Sequence, residues 1–179
     1  MRETALHRWV GNHKDGRVLR SLDRGVFAVH HLLNWAHSDI GASGEIRLLH
    51  ALAPQLHTVF DVGAHDGTWA EELLRVAPSC DVHCFEASPS MRRELAARLG
   101  DDRAVIAPFG LHAQSGVRRL KDYPEASFLS SLVDYPHELE HVWGEVDVEA
   151  GDAYADEAGI EVIDLLKIDT DGSEWDVLE

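Results

Sequence analysis

The feature that most constrains the fold is a strand, a glycine-rich turn and a helix that follow one another near the middle of the chain. Thr58–Val62 is a short β-branched run that ends at Gly63, and Thr68–Val76 has the composition of a helix that ends before Pro78. Such a unit buries its apolar residues when parallel strands lie side by side with helices packed on them. The segment therefore predicts an α/β fold.

The same unit begins again directly afterwards. Asp81–Glu86 is predicted to be the second strand, and the helix after it has Ser88 as its N-cap and ends at Gly100. Further extended segments, of which the first and last are parallel strands, are predicted at residues 104–107, 117–121 and 162–168. Alternating strands and helices predict a doubly wound, mainly parallel, Rossmann-like sheet with the strand order 3-2-1-4.

A helical extension at the N-terminus is predicted to precede the sheet domain. Apolar residues recur at spacings of three and four over residues 17–37, which is typical of an amphipathic helix, and a second helix is predicted at Glu45–Ala53. The 179 residues are enough for one domain and such an extension. We therefore divide the chain into an extension, residues 1–54, and a cofactor-binding domain, residues 55–179.

The charge balance limits the expected partners. The chain has 16 Lys and Arg residues against 32 Asp and Glu residues, a net charge of −16, and such a field repels nucleic-acid phosphates and anionic membranes. Neither is expected as a partner. The two cysteines, Cys80 and Cys84, indicate neither a disulfide framework nor a structural zinc site, and the first residues have no secretory pattern. These features predict a reducing, cytoplasmic compartment.

The turn after the first strand carries the residues that a bound cofactor would contact. Gly63 and Gly67 are spaced G-x-x-x-G, which fits the pyrophosphate of a nicotinamide dinucleotide poorly. Asp61 before them favours a ligand with a positive group, such as the ammonium of S-adenosyl-L-methionine. Glu86 follows about 20 residues after the first glycine, where an acid accepts hydrogen bonds from ribose hydroxyls. The alternative is that the glycines only form a tight turn and that Glu86 is a solvated strand end.

Three segments resemble the FkbM-type S-adenosylmethionine-dependent methyltransferases. They are Val59–Gly67, Cys84–Pro89 and Asp164–Glu174, and the last is the most specific. The resemblance, which runs over residues 44–179, implies transfer of a methyl group from S-adenosyl-L-methionine to a hydroxyl of a small molecule or sugar. It implies a cofactor site made of Asp61, Gly63, Ala64, His65, Gly67, Glu86, Ala87, Ser88, Gly110 and Leu111.

The segment around the last strand supplies candidates for catalysis. Methyl transfer to oxygen needs a positioned hydroxyl and a group to take its proton. Asp169 ends the strand at the carboxyl edge of the sheet, and Lys167 lies two residues earlier on the same face. The resemblance implies that these residues, with Asp171 and Glu174, line the reaction side, without identifying the base. Asp171 and Glu174 alternatively complement the N-terminus of the next helix, and a divalent cation at these acids stays open.

The domain is predicted to be incomplete at its C-terminus. A methyltransferase sheet of this class has seven strands, whereas four parallel ones are predicted here, and the chain ends about two turns into a helix that begins at Ser173. Residues 162–168 are apolar on both faces, yet the strand order makes them an edge of the sheet. We therefore expect either that residues beyond 179 were removed, or that a second copy or a completing chain covers this edge.

Other interpretations compete with a methyltransferase. A nicotinamide-dependent oxidoreductase shares the fold but not the glycine spacing, and a binding protein keeps the cofactor pocket without catalysing transfer. His137–His141 matches H-E-x-x-H, the pattern of zinc proteases. We nevertheless expect no metal there, because Pro136 and Gly144 limit any helix to about two turns and no third ligand follows.

Overall fold

The computed structural model describes residues 40–100, 103–135 and 139–179. The chain divides into two compact units, residues 1–46 and 47–179. The first described helices are α1 (Ile40–Ser43) and α2 (Glu45–Leu52), and the helix predicted over residues 17–37 lies outside the described residues. No helix in the described ranges is long and apolar enough to cross a membrane.

The second unit alternates strands and helices around a parallel sheet. After α2 the elements are β1 (Thr58–Val62), α3 (Thr68–Val76), β2 (Asp81–Phe85), α4 (Pro89–Leu99), β3 (Val105–Ala107), β4 (Gly110–Leu111), β5 (Gly116–Asp122), β6 (Val142–Glu149), α5 (Gly151–Ala158), β7 (Leu165–Ile168) and α6 (Glu174–Leu178). The main sheet has the order β3-β2-β1-β7, and all its strand pairs are parallel. The predicted α/β fold and strand order are confirmed.

The register of the main sheet brings three loops together. Val62 pairs with Phe85 on one side and with Ile168 on the other, so the strands end at the same level. The loops that follow these strands therefore meet at the carboxyl edge of the sheet, where ligands bind in open α/β folds.

Apolar side chains cover both faces of the main sheet. On one face Val59, Val82 and Cys84 pack with Leu73 of α3 and Leu95 of α4. On the other face the rings of Phe60 and Phe85 pack against Tyr154 of α5, with centroid distances of 5.8 and 4.9 Å. Because helices lie on both faces, the fold is doubly wound.

A second, smaller sheet was not predicted from the sequence. Its order is β4-β6-β5, with β5 and β6 antiparallel from Gly116↔Val148 to Asp122↔Val142. The extended segment at residues 117–121 is confirmed within β5, whereas β6 and α5 were missed. In β6 the buried Val146 and Val148 alternate with acidic residues, so the apolar residues needed for a strand prediction are few.

The last strand of the main sheet is shorter than predicted. Ladder pairing begins at Leu165, and Val162 is 66% exposed. The Asp164 carboxylate instead accepts the N–H groups of His57, the last residue before β1, and Thr58, the first residue of β1 (2.8 and 2.9 Å). These hydrogen bonds hold the pKa of Asp164 below its usual value. Among the described strands β7 pairs only with β1, and Leu166 in β7 is 39% exposed. Its apolar residues suggested a buried central strand, but within the described residues β7 is an edge strand of the main sheet.

Candidate functional site

A cavity lies where the loops after β1, β2 and β7 meet, the place where ligands bind in open α/β folds. The predicted site residues on its wall are Gly63, His65, Glu86, Ala87, Ser88, Gly110, Leu111 and Asp169. The other predicted residues, Asp61, Ala64, Gly67, Lys167 and Glu174, are not among those that line it. The sequence motifs therefore meet at one cavity, although five of the predicted residues do not line it.

Gly63 allows two loops to approach each other closely. Its φ is +74°, and a Cβ at this position would lie 1.9 Å from the backbone oxygen of Asp169. The N–H groups of Gly63 and Ala64 both donate to the Phe85 oxygen (2.9 and 3.1 Å), which ties the turn to the end of β2. Only glycine satisfies both the left-handed backbone and the contact with the loop after β7.

Most backbone N–H groups over residues 63–68 are already used within the protein. His65 N–H donates to Glu86 Oε2 (2.9 Å), Gly67 N–H to the Ala64 oxygen (2.9 Å) and Thr68 N–H to Asp66 Oδ1 (3.1 Å). A pyrophosphate at the start of a helix needs such N–H groups free to donate to it. This turn is therefore poorly suited to a dinucleotide, in agreement with its glycine spacing.

Glu86 presents a fixed carboxylate to the cavity. Its two oxygens accept the N–H groups of His65 and Ser88, the latter at 2.7 Å. Burial raises the pKa of Glu86, and the two hydrogen bonds and the Arg92 charge oppose that rise. The Arg92 guanidinium also donates to the Glu86 and Ala87 backbone oxygens (2.7 and 2.8 Å), which fixes the loop that carries the acid.

Asp61 and Lys167 form an internal ion pair. They occupy matched positions on β1 and β7, and Lys167 Nζ lies 2.9 Å from Asp61 Oδ1 and donates to the Gly63 oxygen at 2.9 Å. Asp61 is fully buried, so its carboxylate faces a lysine where the sequence suggested a ligand ammonium. Lys167, expected on the reaction side, likewise points to this pair. The structure thus places both residues where they support the Gly63 turn.

The loop after β7 is organised by Glu174. The Glu174 carboxylate accepts the N–H groups of Thr170 and Gly172, both at 3.0 Å, and the Thr170 hydroxyl at 3.2 Å. Burial alone would raise the pKa of Glu174, but these hydrogen bonds outweigh it and hold the pKa below its usual value. Glu174 is therefore placed as a brace for the loop, as in the alternative interpretation, whereas Asp169 and Asp171 lie on the cavity wall.

Asp171 has an unusual backbone and an unusual carboxyl. Its φ is +51°, in the left-handed region that Asp and Asn tolerate better than most residues. Desolvation, together with the negative charges of Asp169 and Glu174, raises the pKa of Asp171 to about 6. The carboxyl therefore changes its charge close to neutral pH.

Replacing Asp171 by asparagine is expected to stabilise the protein at pH 8 and to change its stability little at pH 4. A carboxyl whose pKa is higher in the folded than in the unfolded chain weakens the fold as the pH rises through those two values, here from about 4 to about 6. Thermal unfolding of both proteins from pH 4 to pH 8 measures the effect, with Asp152→Asn on the exposed side of α5 as the control. A difference that does not vary with pH would contradict the assignment.

The sequence analysis missed part of the cavity wall. Met91 lines it from α4, and the residues on the side of the small sheet are Leu120, Ser127, Ser130, Ser131 and Leu132. Ser131 Oγ donates to the Asp171 oxygen at 2.7 Å, and Tyr135 packs on Gly172, where a Cβ would lie 2.2 Å from the Tyr135 hydroxyl. The one available signal was the group of serines over residues 127–131, since hydroxyl-rich loops outside helices and strands often line sites.

The H-E-x-x-H segment is not tested by the structure, because His137 lies outside the described residues. His141 is described, and its ring packs against Tyr123 and Trp143 at centroid distances of 5.6 and 5.9 Å. The part of the chain that the structure describes contains no group of three or more His, Cys, Asp or Glu side chains arranged to hold a metal ion. The absence of zinc at this segment stays a prediction.

Comparisons with known proteins match most of the chain, and one of them gives its family. A family model described as the methyltransferase FkbM domain matches residues 61–179. The 2-O-methyltransferase NoeI of Sinorhizobium fredii is 29% identical over 136 residues, which cover 67% of this chain and 55% of NoeI, so the chain spans about half the length of this relative. A crystal structure of methyltransferase FkbM from Methylobacillus flagellatus KT is 17% identical, with a TM-score of 0.46, and the match covers 69% of this chain and 28% of that one.

Proposed function

Because the chain belongs to the FkbM methyltransferase family, we propose that it transfers a methyl group from S-adenosyl-L-methionine to a hydroxyl of a small molecule or sugar. The relative NoeI is named a 2-O-methyltransferase, which supports a hydroxyl as the acceptor. The net charge of −16 favours an uncharged or cationic acceptor over a nucleic acid.

The observation that carries the cofactor proposal is the Glu86 carboxylate on the cavity wall. Each of its oxygens accepts one backbone N–H, from His65 and from Ser88, so the carboxylate is oriented and keeps capacity for further hydrogen bonds. The two hydroxyls of a ribose can donate to such a carboxylate. Since the turn N–H groups are engaged within the protein, a nucleoside without a pyrophosphate fits this wall better than a dinucleotide does.

When bound, the cofactor supplies a methyl group attached to a positively charged sulfur. Asp169 and Asp171 supply negative charge on the cavity wall, which favours such a cation. Gly110 lies against Ala87, where a Cβ would be 3.0 Å from the Ala87 Cβ. Because neither residue has a long side chain, this part of the cavity wall leaves room for a flat ring to lie against it. Leu111, buried beside them, adds apolar surface.

The acceptor hydroxyl is oriented by Asp169 in this proposal. Its carboxylate lies on the cavity wall, and its backbone is fixed because Asp169 N–H donates to the Val62 oxygen at 3.0 Å. A carboxylate that accepts a hydrogen bond from a second hydroxyl of the acceptor fixes the direction of the attacking oxygen and leaves that oxygen's own proton to another group. Asp61, Ala64, Gly67, Lys167 and Glu174 act indirectly, by fixing the loops that carry the cavity wall.

Replacing Glu86 by alanine is expected to weaken S-adenosylmethionine binding about ten- to a hundredfold, because an ionised acceptor of ribose hydrogen bonds is worth about 1.5–3 kcal/mol. Titration calorimetry with the cofactor and with its demethylated product measures the loss. Glu94→Ala, an exposed carboxylate on α4, is the matched control. Equal affinity of Glu86→Ala and the parent protein would reject the ribose assignment, and binding of a nicotinamide dinucleotide in place of S-adenosylmethionine would favour an oxidoreductase.

Replacing Asp169 by asparagine is expected to lower turnover by about a hundredfold with the fold retained, because the amide keeps the size of the side chain but accepts the hydroxyl hydrogen bond more weakly. Incubation with methyl-labelled cofactor and a panel of sugars and polyketide alcohols measures transfer, and Asp152→Asn is the control. Full turnover by Asp169→Asn would assign the orientation of the hydroxyl to another residue. A parent protein that binds the cofactor but methylates no hydroxyl would favour the binding-protein alternative.

We place this reaction in the cytoplasm. Cys80 and Cys84 are buried free thiols, the state in which a reducing compartment keeps such residues. Burial raises the pKa of Cys80 to about 11, so its thiol stays protonated and unreactive. Both cysteines therefore act as small apolar core residues.

A further inference from the structure

His65 and Ser127 form a hydrogen-bonded pair on the cavity wall. His65 Nε2 lies 2.9 Å from Ser127 Oγ, although the two residues are 62 positions apart in the chain. Both residues line the cavity, His65 from the turn after β1 and Ser127 from the loop between β5 and β6. The pair therefore joins the two sides of the site.

The imidazole of His65 is held in one orientation. Its backbone has a φ of +49°, and its N–H donates to Glu86. Its other ring nitrogen, Nδ1, lies 3.7 Å from Asp66 Oδ1. The Asp66 carboxylate is itself held by the Thr68 hydroxyl (2.9 Å) and by Arg98 (2.6 Å). The ring is thus fixed between a carboxylate on one side and a hydroxyl on the other.

The surroundings of the ring favour one tautomer. Burial alone would raise the pKa of Asp66, but the Thr68 hydrogen bonds and the Arg98 charge outweigh it and hold the pKa below its usual value, so Asp66 is ionised at neutral pH. An anion beside Nδ1 favours the proton on that nitrogen. The lone pair of Nε2 then faces Ser127 Oγ, and the serine hydroxyl donates to it.

We propose that Ser127 Oγ and His65 Nε2 are the route by which the acceptor hydroxyl loses its proton during methyl transfer. This inference rests on the proposed function. As the acceptor oxygen bonds to the methyl carbon, the carbon–sulfur bond breaks and its electron pair stays on sulfur, which becomes neutral. The hydroxyl proton passes to Ser127 Oγ, the serine proton passes to His65 Nε2, and the resulting imidazolium releases a proton to solvent afterwards.

Charged groups surround the ring that receives the proton. Asp66, Glu86 and Asp171 interact with His65 from the loops after β1, β2 and β7, and all three can carry negative charge. Arg98 lies on the far side of Asp66, to which it donates. Each carboxylate attracts the positive charge that forms on the ring when the proton arrives, and the more distant cation repels it.

The first test needs neither cofactor nor acceptor. Ring ¹⁵N resonances of His65, recorded above the pH at which the ring deprotonates, report which nitrogen carries the proton. We expect the Nδ1–H form in the parent protein and in Ser79→Ala, an exposed serine control, and a shift toward Nε2–H in Ser127→Ala. An Nε2–H form in the parent protein would overturn the proposal, because Nε2 would then have no lone pair for the proton.

The second test measures transfer and cofactor binding in the same variants. His65→Asn keeps a residue that tolerates the left-handed backbone, and Ser127→Ala removes only the hydroxyl. We expect each variant to lower kcat by about a hundredfold, with unchanged S-adenosylmethionine affinity by calorimetry. The exposed His50→Asn is the control. Unchanged kcat, or a loss confined to cofactor affinity, would overturn the proton route. Failure of the parent protein to bind S-adenosylmethionine would instead reject the proposed function, whatever the tautomer of His65.

Discussion

Replacing Gly63 by alanine is expected to lower the free energy of unfolding by more than about 3 kcal/mol and to abolish cofactor binding. The new Cβ would lie 1.9 Å from the Asp169 backbone oxygen and 2.7 Å from its carbonyl carbon. Neither loop can move away freely, because Asp169 N–H is bonded to the Val62 oxygen and Gly63 N–H to the Phe85 oxygen. The substitution therefore separates the two loops that form the cavity. Urea unfolding and calorimetry with S-adenosylmethionine measure the two effects.

Two other glycines provide controls that separate backbone strain from the steric clash. Gly100 has nearly the same φ, +73° against +74°, but no heavy atom of the described residues lies within 4 Å of its Cβ position. Its ψ of 166° lies in a region that is nearly restricted to glycine, so Gly100→Ala should cost backbone strain alone, about 1–3 kcal/mol. Gly144 has no positive φ and no close neighbour among the described residues, so Gly144→Ala should change little. If Gly63→Ala lowered the free energy of unfolding no more than Gly100→Ala does, the close contact with Asp169 would not contribute to the site.

The predictions that succeeded rest on local signals. β1, β2 and β3 are short runs of apolar residues bounded by glycine, proline or polar turns, and such signals lie within a few residues of the elements that they define. Pro89 at the start of α4 and Gly100 at its end likewise fix that helix locally. The parallel order followed because alternating strands and helices permit few arrangements.

The predictions that failed depend on contacts between distant residues. The sequence alone indicates acids and glycines near one edge of the sheet, but not that Ser127 reaches His65 or that Ser131 reaches Asp171. The small sheet was missed because the acidic residues Glu145, Asp147 and Glu149, which flank Val146 and Val148, lower the apolar content of β6. Pairing with β5 would identify β6 as a strand, but that pairing exists only in the folded chain.

The roles predicted for Asp61 and Lys167 stay predictions, but the ion pair between them was not foreseen. Asp61 was predicted to face a ligand ammonium because of its charge, and Lys167 to line the reaction side because the family resemblance implies it. Matched positions on neighbouring parallel strands put the two side chains on the same side of the sheet. A lysine opposite an aspartate in a buried sheet predicts an ion pair, because an isolated charge is costly there. Aligning the ends of β1 and β7 at the carboxyl edge would have given that register from the sequence.

Replacing Lys167 by methionine is expected to lower the free energy of unfolding by about 3–5 kcal/mol at neutral pH, because it leaves the buried Asp61 without its cationic partner. The Gly63 oxygen would also lose the Lys167 hydrogen bond, so the turn beside the cavity should loosen and cofactor affinity should fall. Urea unfolding measures the stability change. Arg93→Met, an exposed cation on α4, is the control and should change stability by no more than about 0.5 kcal/mol.

The double variant Asp61→Asn with Lys167→Met separates an ion pair from ordinary packing. Once the carboxylate is neutral, no buried charge is left without a partner, so the double variant should be more stable than Lys167→Met alone. Cofactor affinity should recover only in part, because the lost hydrogen bond to the Gly63 oxygen is not replaced. If Asp61 bound the ligand ammonium directly, Asp61→Asn would instead weaken S-adenosylmethionine binding further in the Lys167→Met background. The sign of that second change in affinity thus distinguishes a carboxylate that supports the turn from one that contacts the cofactor.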